Sequence, residues 1–247
     1  MKKTSGPVAI AMALLGMYGT ARADAGGPPA TTTNPWLKIN NGTDLIDASS
    51  SPNPDHSFTF DSSSTLAGQY SVGWDLRVNP DPFIDGTITL TNLSASAKDF
   101  TINLGLFVSP AFSPSKMGGS INASLSDLNG SGSATFKPVT SVSNPIFQGK
   151  IDTNTVLQLL AASLSCAGVN CTATGSDQDG LPGLTLAGPA VNSSLGTLLT
   201  FNLSGGDQIA LNTHFEVAPV PLPASLPLLS SVLGMGMGAL RRKRKSI

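Results

Sequence analysis

The stretch QYSVGWDLRV, Gln69 to Val78, places Tyr70, Val72, Trp74, Leu76 and Val78 two residues apart. Only an extended chain puts such a set on one face, because side chains alternate at period 2 in a strand and at 3.6 in a helix. The same spacing recurs in Phe58-Thr59-Phe60, Thr87 to Leu93 and Phe100 to Val108. Further strands are expected at Ser120 to Leu125, Ala134 to Val139, Phe147 to Ile151, Leu198 to Leu203 and Gln208 to Val217. Turn-forming segments such as SSSPNPDHS, DSSS and VNPDPFIDG separate the runs. Thr87–Leu93 and Phe100–Val108, joined by the polar link SASAKD, read as a hairpin. Gly, Ser, Thr, Asn and Asp are abundant while Lys, Glu, Gln and Arg are scarce, which removes the good helix formers. The expected fold class is all-β, an antiparallel immunoglobulin-like β-sandwich. One segment dissents. Thr153 to Ser165, TNTVLQLLAASLS, reads as a short helix capped by Asp152, the competing reading being an apolar strand beside the cysteine loop. The absence of any repeat of 20 to 50 residues excludes solenoids and propellers.

The two ends carry different information from the body. Residues 1–23 open with Lys2 and Lys3, continue apolar from Val8 to Met17 and close on Ala21-Arg22-Ala23, the pattern of a secretory signal peptide cleaved before Asp24. The uncharged core is about half of the ~20 residues that a spanning helix requires. From residue 24 to 219, the exported body, six basic residues stand against all fifteen acidic ones, a formal charge of −9. That balance excludes nucleic acid as a partner, since phosphate binding requires clustered Lys and Arg. Cys166 and Cys171, in SCAGVNC, are the only cysteines, and in an exported chain they read as a disulfide closing a small loop.

Residues 220–247 form a three-part tail. Leu222 to Leu240 is uncharged over 19 residues, about 28 Å as helix, enough to span a hydrocarbon layer of about 30 Å. Arg241, Arg242, Lys243, Arg244 and Lys245 follow at once and hold the C-terminus on the cytoplasmic side. Val220-Pro221-Leu222-Pro223-Ala224 precedes the span, and its prolines keep the backbone extended and accessible. Motif, span and basic stop together resemble a PEP-CTERM protein-sorting domain. Here the VPLPA variant carries Leu222 where the usual motif has glutamate. The resemblance covers residues 220 to 245 and implies an exosortase-type membrane protease as partner in a Gram-negative bacterium. It further implies a transient inner-membrane anchor through the C-terminal transmembrane helix, and then a cell-surface or extracellular destination in an exopolysaccharide matrix.

The body offers little for catalysis. His56 and His214 are the only histidines, and no G-x-S-x-G elbow, phosphate loop or dinucleotide fingerprint occurs. Strand alternation puts His214 on the face opposite Phe215, towards solvent, and places His56 in a turn. Asp177 and Asp179, within SDQDG, form the one cation-like cluster, a candidate for calcium, although no bidentate glutamate follows; no cofactor is expected beyond it. Asp81 and Asp85 bracket Pro82-Phe83-Ile84 in the manner of paired glycosidase carboxylates, a weak signal on spacing alone. Trp36, Trp74, Tyr70 and Phe83 are candidates for a sugar platform, or else core. The leading expectation is a non-enzymatic exported surface or matrix-associated protein. The alternative is a secreted polysaccharide-binding module or polysaccharide-active enzyme.

Overall fold

The computed structural model describes residues 34–42, 45–139 and 145–220. Within them the chain forms strands and no helix: β1 (Trp36–Asn40), β2 (Leu45–Ala48), β3 (Ser51–Pro52), β4 (Phe58–Leu66), β5 (Tyr70–Asn79), β6 (Phe83–Asn92), β7 (Lys98–Phe107) and β8 (Ser115–Ser126). The second half adds β9 (Ser133–Pro138), β10 (Phe147–Ile151), β11 (Asn154–Leu159), β12 (Leu164–Ala167), β13 (Thr172–Asp179), β14 (Leu186–Gly188), β15 (Ser194–Leu203) and β16 (Gln208–Pro219).

These strands make two antiparallel sheets. The first runs β11-β10-β15-β7-β1-β2, with β9 pairing the end of β15 beyond β10 and β12 pairing β9. The second runs β13-β8-β16-β6-β5-β4-β3, with β14 on the same edge of β8 as β13. Side chains from both sheets enter one core. Alternation does the sorting: Tyr70, Val72, Trp74, Leu76 and Val78 are all buried. Across the core, Tyr70 of β5 meets Phe100 of β7 edge-on at 5.5 Å, Phe100 meets Phe201 at 5.8 Å, and Phe201 meets Phe136 at 5.0 Å. Each such ring removed from water contributes roughly 1.5–3 kcal/mol. Phe215 of β16 sits where Gly149 of β10 faces it; a Cβ at Gly149 would lie 2.8 Å from that ring.

Two expectations from the sequence are overturned. Thr153 to Ser165 is not a helix but β11 followed by β12. Ile151 and Asn154 pair across a two-residue turn, and Asp152 adopts φ 54°, a left-handed conformation that aspartate tolerates. The apolar residues that suggest a helix satisfy two different contacts instead. Leu157 packs at Gly119 and Gly149, and Leu164 lies over Gly175. Asp152 therefore caps no helix. Its carboxylate accepts hydrogen bonds from Nδ2 of Asn192, Oγ of Ser193 and the backbone N–H groups of Ser193 and Ser194 at 2.8–3.1 Å, closing the loop that leads into β15. Burial works against its ionisation, but these donors outweigh burial and hold the carboxyl down at about 2.

The second correction concerns Thr87–Leu93 and Phe100–Val108, which are not a hairpin. They lie in β6 and β7, which belong to different sheets, so SASAKD crosses the sandwich edge. Asn92 explains the crossing. Its side chain turns inward at the end of β6 and its Nδ2 donates to the carbonyls of Ser96, Leu203 and Ser204 at 2.9–3.1 Å, fastening the link to the neighbouring β15 arch.

Among the described residues no helix is long and apolar enough to cross a membrane. The expected signal peptide, the residues Pro221 to Ala224, the span Leu222 to Leu240 and the basic stop lie outside the described residues. Val220 lies within them, and its N–H donates to the carbonyl of Pro114 at 3.0 Å. β16 thus passes into the tail motif with no intervening spacer.

Candidate functional site

On one part of the second sheet the outward residues are short and mostly polar. Register across β6, β16, β8 and β13 aligns Thr87, Asn212, Asn122 and Ser176 in one row, and Thr89, Ala210, Ser124 and Thr174 in the next. Because Ala210 projects so little between its longer neighbours, the two rows border an open groove of about 630 Å³ on the outer face. Its lining carries hydroxyls and amides, and no carboxylate, imidazole or thiol. Such a surface can exchange hydrogen bonds with another polyhydroxylated surface but supplies no acid, base or nucleophile to the bond between two sugars.

One row further along the same face, Arg77, Asp85, His214 and Ser120 align on β5, β6, β16 and β8. His214 Nδ1 lies 3.3 Å from Oδ1 of Asp85, and Nε2 lies 3.5 Å from Oε2 of Glu216. Sequence alternation correctly put His214 on the face opposite Phe215, although the ring is half-buried between these two carboxylates. A serine nucleophile requires the far nitrogen of the imidazole to receive its proton. Here that nitrogen faces Glu216, and Ser120 makes no hydrogen bond to the ring. Arg77 pairs with Asp55 and lies 5.6 Å from the centre of the Phe83 ring. The Ser57 hydroxyl and N–H, with Arg77 beside them, hold the Asp55 carboxyl below the ordinary range. His56 is exposed in the turn that precedes β4, at φ 64°.

The remaining sequence candidates scatter. Asp177 and Asp179 occupy the end of β13 rather than a loop. Asp177 Oδ2 accepts from the N–H of Leu160 at 2.7 Å, and Asp179 Oδ1 accepts from the N–H of Gly180 at 2.8 Å. Asp81 is exposed in the turn before β6, while Asp85 stands beside His214. Of the aromatics, Tyr70 and Trp74 are core. Trp36 is half-exposed on the first sheet, laid over Gly105 so closely that a Cβ there would come within 2.6 Å of its ring, and 5.1 Å from the ring of Phe107. Cys166 and Cys171 are bonded, with Cα atoms 5.8 Å apart, and the carbonyl of Cys171 accepts from the N–H of Asp127 at 3.0 Å.

Of the sequence candidates other than the bonded cysteines, only Asp85 and His214 are brought together, one row from the groove on the second sheet. In comparisons with known proteins the chain matches no family model and no curated sequence.

Asn92, Asp127 and Asp207 were not singled out by motif. A signal for them exists all the same: each continues the inward parity of its strand by one step, Asn92 after Ile88 and Leu90, Asp127 after Ala123 and Leu125, and Asp207 before Ile209 and Leu211.

Proposed function

We propose that this chain is a non-enzymatic exported protein of the cell surface or extracellular matrix. Its body is an elaborated immunoglobulin-like β-sandwich, and its C-terminal tail is a sorting signal processed by an exosortase-type membrane protease. The groove on the second sheet contacts extracellular polysaccharide. What carries this reading is the groove lining: Thr87, Asn122, Ser124, Thr174, Ser176 and Asn212 present hydroxyls and amides from four adjacent strands, chemically matched to sugar hydroxyls. Affinity electrophoresis through gels containing the host's matrix polysaccharide tests it. The wild-type chain is expected to be retarded, and Ala210→Trp, which fills the groove from a half-buried, outward strand position, to run several-fold closer to its free mobility. Equal mobility of the wild type with and without polysaccharide would remove the groove from the proposal.

A second reading, a polysaccharide-active enzyme, is favoured by one observation, the Asp85–His214–Glu216 cluster beside the groove. Release of new reducing ends from that polysaccharide, lost in His214→Ala, would establish it.

The tail has its own test. Pro221→Ala with Pro223→Ala is expected to leave export intact and trap a full-length membrane-bound form, because the extended motif is lost while alanine suits a spanning helix. An unchanged product in a host possessing the sorting enzyme, or a mature protein that keeps the Leu222–Leu240 peptide, would refute processing.

A further inference from the structure

The end of the sandwich where β8 and β16 meet is closed by two acids. Gln208 of β16 pairs with Ser126 of β8, so the antiparallel register continued by one step sets Asp207 directly opposite Asp127. Both keep the inward parity of Leu125 and Ile209, and both are buried, Asp207 at 0% and Asp127 at 2% exposure. Like charges opposite one another in a sheet repel, and burial leaves that repulsion little screened. Donors reach one side of each group only. Oδ2 of Asp127 accepts from the N–H of Gly132 at 3.1 Å, Oδ2 of Asp207 accepts from the Ser204 hydroxyl, and the Leu128 N–H also favours the ionised Asp207. Oδ1 of each is buried and receives no donor. No cation compensates them. Of the elements packed around the pair, β7 brings Lys98 and Asp99 and β9 brings Lys137, while residues 128–132, 166–171 and 204–206 carry no charged side chain. Lys137 and Asp99 are exposed, Asp99 accepting from Nδ2 of Asn202, and Lys98 makes no ion pair with either acid.

We propose that Asp127 and Asp207 share one proton in mildly acidic solution, the acid hydrogen standing where a donor is missing, and that this end of the sandwich is a latch that tightens as the pH falls. Both acids belong to connections that the fold must hold together. The N–H of Asp127 donates to the carbonyl of Cys171 in the disulfide loop, and the carbonyl of Asp207 accepts from the N–H of Asn92 where β6 leaves its sheet. Burial first, and then the charge of Asp127, push the Asp207 carboxyl up. A carboxyl raised on folding binds its proton more tightly in the folded chain. Its stabilisation is therefore complete below the ordinary aspartate range and is lost as the pH rises through the raised value. Asp152 and Asp55, held down by their donors, act in the opposite sense and only below that ordinary range. The two effects occupy separate windows, so the body is expected to be most stable on the acid side of neutrality.

Thermal unfolding of the detergent-solubilised full chain between pH 7.5 and pH 5 tests the latch. The wild-type melting temperature is expected to rise by about 2–4 °C as the pH falls. Asp207→Asn is expected to melt above the wild type at pH 7.5, because the amide removes the repulsion and supplies a donor, and to lose the rise. Asp81→Asn, at an exposed turn, removes one negative charge from the same acidic body and is expected to keep the rise in full. A wild type that does not gain stability towards pH 5, or an Asp207→Asn variant that gains as much as the wild type, would overturn the shared proton. Should Asp207→Asn not fold, Asp127→Asn is expected to lose the rise in the same way. Should neither fold, the infrared spectrum of the folded wild type decides: a carboxylic-acid C=O band that grows in between pH 7.5 and pH 5 supports the latch, and its absence overturns it.

Discussion

Gly86→Ala is expected to destabilise the body by about 4 kcal/mol or more, enough to leave most of it unfolded at 37 °C if its total stability is ordinary. Gly86 lies mid-strand in β6, opposite Leu76 of β5 and Thr213 of β16, with φ 142°, a conformation that L side chains rarely adopt. Its missing side chain is also a packing requirement. A Cβ built there would lie 2.7 Å from the Cα of Leu76 and closer still to the carbonyl oxygen of Asp75, and both are backbone atoms that cannot turn aside. Strain and overlap therefore add at a position enclosed by two neighbouring strands. Gly73→Ala on the adjacent strand is the control: its Cβ would find nothing nearer than 3.9 Å, so a change within ±0.5 kcal/mol is expected. Denaturant unfolding of the two variants side by side measures the contrast, and similar midpoints would show that β6 can shift to accommodate a methyl group.

Asn92→Ala is expected to cost about 3–5 kcal/mol, a fall of roughly 10 °C in melting temperature. The side chain is fully buried, and its amide is the shared donor for three carbonyls from two different loops. Its Oδ1 accepts from the N–H and hydroxyl of Ser94 at 3.1 and 2.7 Å, so both ends of the amide are in use. Alanine leaves those groups without partners in a space that water does not enter freely, and leaves the crossing between β6 and β7 unfastened. Asn92→Asp separates the two possible causes. It keeps the volume and the acceptor, loses the donor, and sets a third carboxylate beside Asp207 and Asp127. It is expected to be at least as damaging as alanine at pH 7 and to recover as the pH falls. An aspartate variant as stable as the wild type at neutral pH would show that the three carbonyls do not depend on this donor.

The strands were legible because the alternation in this chain is unusually clean where one face is buried. Gln69 to Val78 and Gln208 to Val217 read directly as β5 and β16 to within two residues. Thr153 to Ser165 misled because its buried leucines meet partners from elsewhere in the chain: Leu157 fills the space left by Gly119 and Gly149, and a left-handed Leu160, φ 58°, ends the strand. A local pattern cannot register contacts supplied by glycines elsewhere in the chain. The hairpin misled for a similar reason. SASAKD has the length and polarity of a hairpin loop, and only the inward Asn92 tells that the chain leaves its sheet there. Sites were less legible than strands. The groove arises from register among four strands that are far apart in sequence.

The placement of the last two strands sets when the fold can close. β15 alone links β9 and β10 to β7 in the first sheet, and β16 alone links β8 to β6 in the second. A chain threaded through a membrane from its N-terminus therefore delivers, until about residue 194, only half-sheets with unpaired edges and an open core. Neither half can close until residues 194–219 have emerged, which makes the contacts that complete the fold the most distant and the latest to form. If the chain is exported as proposed, it stays loose while it crosses and becomes compact only once the segment next to Val220 is outside. On the proposed sorting route, arrival of the motif at the outer face and completion of the fold would be the same event.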